Sequence, residues 1–232
     1  MHQVVAVLPV YNPTDEFEED IEEILSLQFA QIIVVNDGSN ARHDALFERL
    51  RQMPNITLLS HENKRGKSAA VKTAVSYVQR HLQRCKGILL IGAYGQHKLR
   101  DIEQVLHVSR IYNDGVVLGV RSFQSRELPV SSRIGNFFVT LCFELRCKRR
   151  IADVQTALRY IAMPHVSMLQ RISGEQFDLD VYMLMEAVKR RIPLYEVYIG
   201  KANIKKNTFI QYDETFRFHN VGKKIWQYKY LQ

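Results

Sequence analysis

Residues 62–70 carry side chains and backbone groups suited to binding a phosphorylated ligand. They read Glu-Asn-Lys-Arg-Gly-Lys-Ser-Ala-Ala and open a segment with helical periodicity. Free backbone N–H groups at a helix start, together with Lys67, could cradle a diphosphate. The stretch is not a Walker A loop, because the earlier glycine is missing at the required spacing. The alternative interpretation is a helix N-terminus with solvated lysines.

A second candidate lies at residues 34–39, which read Val-Val-Asn-Asp-Gly-Ser and end an apolar run. The carboxylate of Asp37 could accept hydrogen bonds from a pyrimidine base or a ribose at the edge of a sheet. Taken alone, Asn-Asp-Gly is also a common turn signal. From these residues alone, the turn is the favoured interpretation.

Two arginines in the middle of the chain are candidates for phosphate contacts. Arg121 stands in Val-Arg-Ser-Phe at 120–123, and Arg133 in Ser-Arg-Ile-Gly-Asn at 132–136. The planar guanidinium group matches phosphate oxygens bidentately. Each arginine alone is equally compatible with an ordinary solvated surface residue.

The pattern of elements places these residues on one side of a sheet. Apolar strand-like runs alternate with amphipathic helix-like segments through the first half of the chain, which predicts an α/β fold with a doubly wound, mainly parallel sheet in a single domain. In such folds ligands bind at the carboxyl ends of the strands. Predicted strands cover 4–10, 31–35, 56–59, 87–91, 115–120 and 194–199, and predicted helices cover 15–27, 41–52, 67–84, 100–111, 131–145 and 180–190.

Composition and charge limit the classes of partner. The 232 residues have a formal net charge of +8, with most of the excess after residue 120. That charge favours a phosphate-rich ligand or an anionic membrane surface, and nucleic acid is not expected because no basic motif of a known nucleic-acid module is present. A solvated basic face is the alternative. No signal peptide or membrane-spanning run is found, so we expect a cytoplasmic protein, with association at the inner face of a membrane left open.

Five short motifs occur in one order and together resemble family 2 glycosyltransferases, which have the GT-A fold. The motifs begin with Leu-Pro-Val-Tyr-Asn at 8–12 and include Asp-Val-Gln-Thr-Ala-Leu-Arg at 153–159. The resemblance runs from about residue 4 to residue 199. It is nearest to the branch of dolichyl-phosphate mannose synthases and bactoprenyl glucosyltransferases. Residues 177–180, Phe-Asp-Leu-Asp, also resemble a family stretch, although helix capping explains them equally well.

The resemblance implies roles for particular residues. Arg121 and Arg133 match positions that bring arginines to an acceptor phosphate, and Asp153 and Gln155 match positions beside the catalytic pocket, which makes these four the predicted catalytic residues. The predicted nucleotide-binding residues are Pro9, Tyr11, Asp37, Asn63, Lys67, Tyr94 and Gln96.

The metal motif of the family is altered in this chain. Residues 92–97 read Gly-Ala-Tyr-Gly-Gln-His where the family usually has Asp-Ala-Asp-Gly-Gln-His. The missing carboxylates are the oxygen ligands that Mg²⁺ or Mn²⁺ would need to bridge a diphosphate. An amide and an imidazole make a poor magnesium site, so no metal ligand is assigned.

The resemblance therefore implies a protein that binds a nucleotide diphosphate sugar and transfers a hexose, slowly or without metal, to a polyprenyl phosphate or another cell-envelope acceptor. The alternative is a catalytically inactive relative that serves as a nucleotide- or protein-binding scaffold. Residues 1–210 are predicted to form the glycosyltransferase-like domain. The basic, aromatic residues 211–232 are predicted to form a tail that faces a membrane or a partner, for which a membrane subunit is one candidate.

Overall fold

The computed structural model describes residues 3–82, 84–93, 95, 97–121, 130–172, 179–200 and 214–228, and it describes side chains for all of these except 130–133 and 214–220. In this part of the chain a seven-stranded sheet has the order β3-β2-β1-β4-β6-β5-β7. Its strands are β1 Val4–Val10, β2 Gln31–Asn36, β3 Ile56–Ser60, β4 Gly87–Leu90, β5 Val116–Arg121, β6 Arg159–Ala162 and β7 Leu194–Ile199.

Helices connect and cover these strands. They are α1 Phe17–Ser26, α2 Asp44–Gln52, α3 Lys67–His81, α4 Leu99–Ile111, α5 Val130–Cys147, α6 Met163–Val166, α7 Met168–Arg171, α8 Leu179–Lys189 and α9 Glu214–Gln227, with a 3₁₀ turn at Ala41–His43. No helix in the described ranges combines the length and the apolar character needed to cross a bilayer.

The predicted α/β fold with a doubly wound, mainly parallel sheet is confirmed. Strand β1 pairs in parallel with β2 and β4, β2 with β3, and β5 with β7. Alternating residues of β1 enter two apolar clusters, one on each face of the sheet, which is why the strand reads as a continuous apolar run. Helix α3 covers one face and α1 covers the other.

One strand departs from the predicted pattern. Strand β6 lies between β4 and β5 and is antiparallel to both. No strand was predicted after the motif at residues 153–159, because a run of four residues is too short to show a period. The insertion matters for the site, since an antiparallel strand begins at the edge where its parallel neighbours end.

The residues predicted as a tail form helix α9 where they are described. Its Val221 and Ile225 side chains are buried, and the Tyr228 ring lies 4.5 Å from the Tyr182 ring of α8. Gly222 of α9 approaches the ring of Phe138 on α5 so closely that a Cβ atom there would lie 2.6 Å from a ring carbon. Helix α9 therefore packs on α5 and α8.

Candidate functional site

The carboxyl ends of the parallel strands bring most of the predicted site residues to one edge of the sheet. Strand β5 ends at Arg121, and the antiparallel β6 begins there with Arg159, which is in register with Leu90 at the end of β4 and with Leu118 of β5. Charged side chains from distant parts of the sequence therefore meet at this edge.

Asp37, which follows β2, holds the loop before α3 in place. It is 3% exposed, and its two carboxylate oxygens accept hydrogen bonds from the backbone N–H groups of Arg65, at 2.9 Å, and Gly66, at 2.7 Å. His61 Nδ1 lies 2.7 Å from Oδ1 of the same carboxylate. Asp37 thus binds two backbone N–H groups of the loop that leads into α3, which begins at Lys67. Its predicted contact with a base stays a prediction.

The loop also approaches the turn after Asp37 closely. Gly38 has φ +69°, and a Cβ atom built on it would lie 2.4 Å from the carbonyl carbon of Asn63. Only glycine fits this turn without moving the loop, for two reasons. A side chain would clash with the backbone of the neighbouring loop, and the positive φ is a left-handed conformation that L residues with a side chain rarely adopt. The glycine of the Asn-Asp-Gly signal therefore lets the two loops pack together.

Tyr11 and Pro9 occupy the neighbouring end of β1. Lys64 Nζ lies 4.0 Å from the centroid of the Tyr11 ring, which is a cation–π contact. Pro9 is in register with Val35 of β2 and is half-buried. These residues and Asn63, which is exposed, lie on the β1–β2 side of the edge.

A cluster of ionic side chains lies beyond the start of α3. Lys67 Nζ is 2.6 Å from Oδ2 of Asp180 at the start of α8, and its side chain stays 26% exposed. Arg121 makes a two-pronged pair with Asp153, with Nε 2.6 Å from Oδ2 and Nη2 3.2 Å from Oδ1. The Arg121 side chain is 29% exposed and that of Asp153 is fully buried. Two cations therefore reach the surface at this edge, each backed by a buried or nearly buried carboxylate.

Asp153 is held by more than its pair with Arg121. The backbone N–H of Gln155 donates to Asp153 Oδ1 at 3.2 Å. Burial lowers the pKa of Arg121, but the carboxylates of Asp153 and Asp180 together outweigh that effect, so the net shift raises the pKa and the guanidinium stays charged. The predicted catalytic residues Arg121, Asp153 and Gln155 are thus in one contact network.

Arg159 lies beneath this cluster and is fully buried. Its guanidinium donates to the backbone carbonyls of Thr156, at 2.6 Å, of Val154, at 2.9 Å, and of Asp180. Arg159 Nη2 is 3.9 Å from Asp180 Oδ1. Arg159 thereby joins the segment that carries Asp153 to the helix start that carries Asp180. The sequence analysis included Arg159 only as the last letter of a motif, and no periodicity marks a buried arginine.

His97 faces the same cluster from the loop before α4. Neither ring nitrogen has a hydrogen-bond partner among the described residues, and both atoms are buried. Burial, followed by repulsion from Arg121 and Lys67, lowers the pKa of His97 to about 3. The ring is therefore neutral at physiological pH.

The residues here do not fit a divalent metal ion. Gly92 offers no side-chain ligand, and in the described part of the chain no three His, Cys, Asp or Glu residues are arranged to hold one. Gly92, Gly95 and His97 instead line a cavity of about 20 Å³, which has room for about one water molecule. Positions 94 and 96 lie outside the described residues. Arg133 lies in α5 where only the backbone is described.

A second concavity, of about 360 Å³, opens next to Tyr11. It is polar and was not found by the sequence analysis, because its walls come from the loop after β1 and from the 3₁₀ turn. The residues that line it are Asn12, Pro13, Thr14, Asp15, Glu16, Arg42 and His43.

The family model for glycosyl transferase family 2 matches residues 5–172. The chain belongs to this family. It is 23% identical over 201 residues to a Methanocaldococcus jannaschii protein of uncharacterised function, covering 85% of this chain and 80% of that protein. It is 25% identical over 131 residues to a dolichyl-phosphate beta-glucosyltransferase from Trichomonas vaginalis, covering 50% of this chain and 39% of the relative.

Solved structures support the fold of this family member. Glucosyl-3-phosphoglycerate synthase from Mycobacterium tuberculosis in complex with phosphoglyceric acid superposes with a TM-score of 0.68 at 11% identity, covering 97% of this chain and 80% of the other. The same enzyme in complex with Mn²⁺, UDP and phosphoglyceric acid superposes with a TM-score of 0.68 at 12% identity, covering 96% of this chain and 75% of the other. The predicted GT-A fold is confirmed.

Proposed function

We propose that this glycosyl transferase family 2 member binds a nucleotide diphosphate sugar at the carboxyl edge of its sheet, without a divalent metal ion. The observation that carries the proposal is the cluster of Lys67 and Arg121, two partly exposed cations held by Asp180 and Asp153. Nucleotide-sugar binding is supported by structural relatives that hold UDP or UDP-glucose. In this proposal the cluster supplies the positive charge that compensates the diphosphate.

The charge of the cluster favours an anion. Lys67, Arg121 and Arg159 carry three positive charges, and Asp153 and Asp180 carry two negative ones. A diphosphate oxygen that approaches Lys67 takes the exposed side of an ammonium group whose other side contacts Asp180. Charge-assisted hydrogen bonds of this kind are about twice as strong as neutral ones.

The proposed reaction is transfer of a hexose to a polyprenyl phosphate or another cell-envelope acceptor. An acceptor phosphate oxygen attacks the anomeric carbon, the bond from that carbon to the diphosphate oxygen breaks, and its electron pair stays on the departing nucleoside diphosphate. A phosphate acceptor is already ionised, so no general base is needed. The dolichyl-phosphate glucosyltransferase relative supports this acceptor class.

Lys67 and Arg121 stabilise the charge that develops on the leaving diphosphate. In relatives a metal ion does this, and its contribution is typically several kcal/mol. A loss of about 4 kcal/mol slows the step roughly a thousandfold. Fixed cations act on developing phosphate charge in the same way and recover part of the loss. The proposed transferase is therefore slow and insensitive to chelators.

The second candidate is a scaffold that binds a nucleotide or a protein without turnover. Gly92 supports it, because glycine contributes no side-chain ligand for a metal ion. The pairing of both exposed cations with carboxylates also supports it, since a ligand must compete with Asp180 and Asp153. Under this candidate the protein binds nucleotide and releases no free sugar or lipid-linked product.

Radiolabelled sugar transfer separates the two. UDP-glucose and GDP-mannose are incubated with polyprenyl phosphate and the protein in the presence of a chelator, beside Lys67→Ala and the control variant Lys86→Ala, at an exposed lysine just before β4. Slow transfer that survives chelation and is lost only in Lys67→Ala supports the transferase. Nucleotide binding with no transfer and no hydrolysis supports the scaffold.

A further inference from the structure

Helix α5 exposes a continuous apolar stripe on the side that faces away from the sheet. Its members recur at helical spacing. Viewed down the helix axis, they all lie within a sector of about 100°. Large apolar side chains are normally found singly on a protein surface, and a contiguous patch marks an interaction site. The stripe consists of Ile134, Phe137, Phe138, Leu141 and Leu145, which are 63%, 67%, 41%, 39% and 51% exposed.

The opposite face of the same helix is buried, so the stripe is not a consequence of a loosely packed element. Val139 and Phe143 are fully buried in the core, and Cys142 and Cys147 are 9% exposed. Helix α9 packs beside α5 through Gly222 and Phe138. The stripe is about 16 Å long at 1.5 Å per residue.

Trp226 extends the stripe onto α9. Its side chain is 56% exposed, and its indole contacts the thiol of Cys142, one turn after Phe138 on α5. Trp226 is the single tryptophan of the chain. Indole rings favour the boundary between hydrocarbon and headgroups because one end is apolar and the other donates a hydrogen bond.

Basic residues border the stripe where α5 ends. Lys148, Arg149 and Arg150 follow directly and are exposed, and Lys223 on α9 is exposed as well. Residues 134–150 contain one acid, Glu144. An apolar face with a basic border matches an anionic lipid surface, which offers hydrocarbon at one depth and negative headgroups at the next. A soluble protein partner does not in general require an apolar stripe with a basic border.

We propose that the α5 stripe, with Trp226 and the basic residues 148–150, docks this chain peripherally on an anionic lipid bilayer. Helix α5 lies in the plane of the interface, with Phe137 and Leu141 at the hydrocarbon boundary and the basic residues among the headgroups. This proposal is independent of the proposed sugar transfer, because the protein could bind vesicles without binding a nucleotide, or bind a nucleotide without binding vesicles. The sequence-based prediction named residues 211–232 as facing a membrane or a partner, and the proposed surface adds helix α5 to Trp226 of that segment.

The test is vesicle binding by the full chain, with phosphatidylcholine vesicles that contain or lack phosphatidylglycerol. Co-sedimentation and the emission of Trp226 are recorded together. We expect binding and a blue shift of the emission with the anionic vesicles only. Phe137→Asp with Leu141→Asp lowers the bound fraction about tenfold or more, and Ile111→Asp, at a 62% exposed residue of α4, leaves it unchanged.

Removal of the basic border gives a second, independent readout. Replacement of Lys148, Arg149 and Arg150 by alanine lowers the partition coefficient roughly a hundredfold, since each basic residue near an anionic surface contributes about 1 kcal/mol. Emission and sedimentation that are the same with anionic and neutral vesicles would overturn the proposal. The proposal would also be overturned if the protein bound no vesicles but formed a dimer in sedimentation velocity that Phe137→Asp with Leu141→Asp abolished. The stripe would then be a self-association surface.

Discussion

Lys67 and Asp180 are 113 residues apart in the sequence and form an ion pair of 2.6 Å at the edge of the sheet. Lys67 begins α3 and Asp180 lies in the first turn of α8. The fully buried Arg159 binds the backbone carbonyl of Asp180 from below. The position of the exposed ammonium group therefore depends on both halves of the chain.

Loss of the carboxylate of Asp153 should destabilise the protein. Asp153→Asn leaves Arg121 without its charged partner, and removal of one member of a buried pair costs about 3 kcal/mol of the free energy of unfolding. Glu18→Gln is the control, because it breaks the exposed Arg49–Glu18 pair of 2.7 Å and should change the free energy of unfolding only slightly. Urea denaturation of both variants measures the difference. Equal small effects would mean that the Arg121–Asp153 pair does not organise the cluster.

Replacement of Gly38 should disturb the loop that leads to Lys67. Gly38→Ala places a methyl group 2.4 Å from a backbone carbon at φ +69°, which costs about 2 kcal/mol and displaces residues 63–66. At Gly200 a new Cβ meets Asp101 at an ordinary 3.4 Å, so Gly200→Ala should stay within about 0.5 kcal/mol. Thermal unfolding of the two variants tests this prediction, and similar melting temperatures would contradict it.

The stability of the protein should depend on the protonation of His97. The pKa of His97 is lowered from 6.5 to about 3 in the folded protein. Between pH 3 and pH 6.5 the His97 side chain binds more protons in the unfolded chain than in the folded protein. Lowering the pH through this range therefore reduces the free energy of unfolding, by up to about 1.4 kcal/mol per pH unit.

His97→Asn removes that contribution. We therefore expect a smaller loss of stability on acidification in the variant than in the parent protein, measured by urea denaturation across the same range. Parallel pH profiles would show that His97 titrates normally and does not face the cationic cluster.

Restoring carboxylates at the altered motif should restore metal dependence. Gly92→Asp with Tyr94→Asp supplies the oxygen ligands that Mn²⁺ needs beside a diphosphate, so we expect Mn²⁺-dependent hydrolysis of a nucleotide sugar. Gly92→Asn with Tyr94→Asn is the matched control, because the amides have a similar size and no charge. If the aspartate variant neither hydrolyses nor binds a nucleotide, the pocket is assigned wrongly.

The sequence predicted the fold well because the parallel strands are buried on both faces and read as separate apolar runs. Strand β6 escaped prediction, since its four residues show no period. The antiparallel direction of β6 also brings Arg159 to the edge, which no local pattern indicates. Within the candidate site, the motifs named Arg121 and Asp153. The contact between the two side chains was visible only in the folded structure.

Asp37 makes a structural contact that its motif did not indicate, and its predicted contact with a base stays a prediction. Its position at the end of β2 was predicted correctly, but the structure uses its oxygens to bind the N–H groups of Arg65 and Gly66. His61, which the sequence analysis did not single out, completes the contact and lies 2.9 Å from Thr73 Oγ1 through its other ring nitrogen. A histidine one residue after a short strand gives no sequence signal of such a role.

The most direct test of the central claim is calorimetric titration with UDP, GDP and UDP-glucose, each with Mn²⁺ and again with a chelator. We predict binding that survives chelation and weakens about 10- to 100-fold in Lys67→Ala, with Lys86→Ala unchanged. Absence of heat with every nucleotide, for a protein shown to be folded, would contradict it.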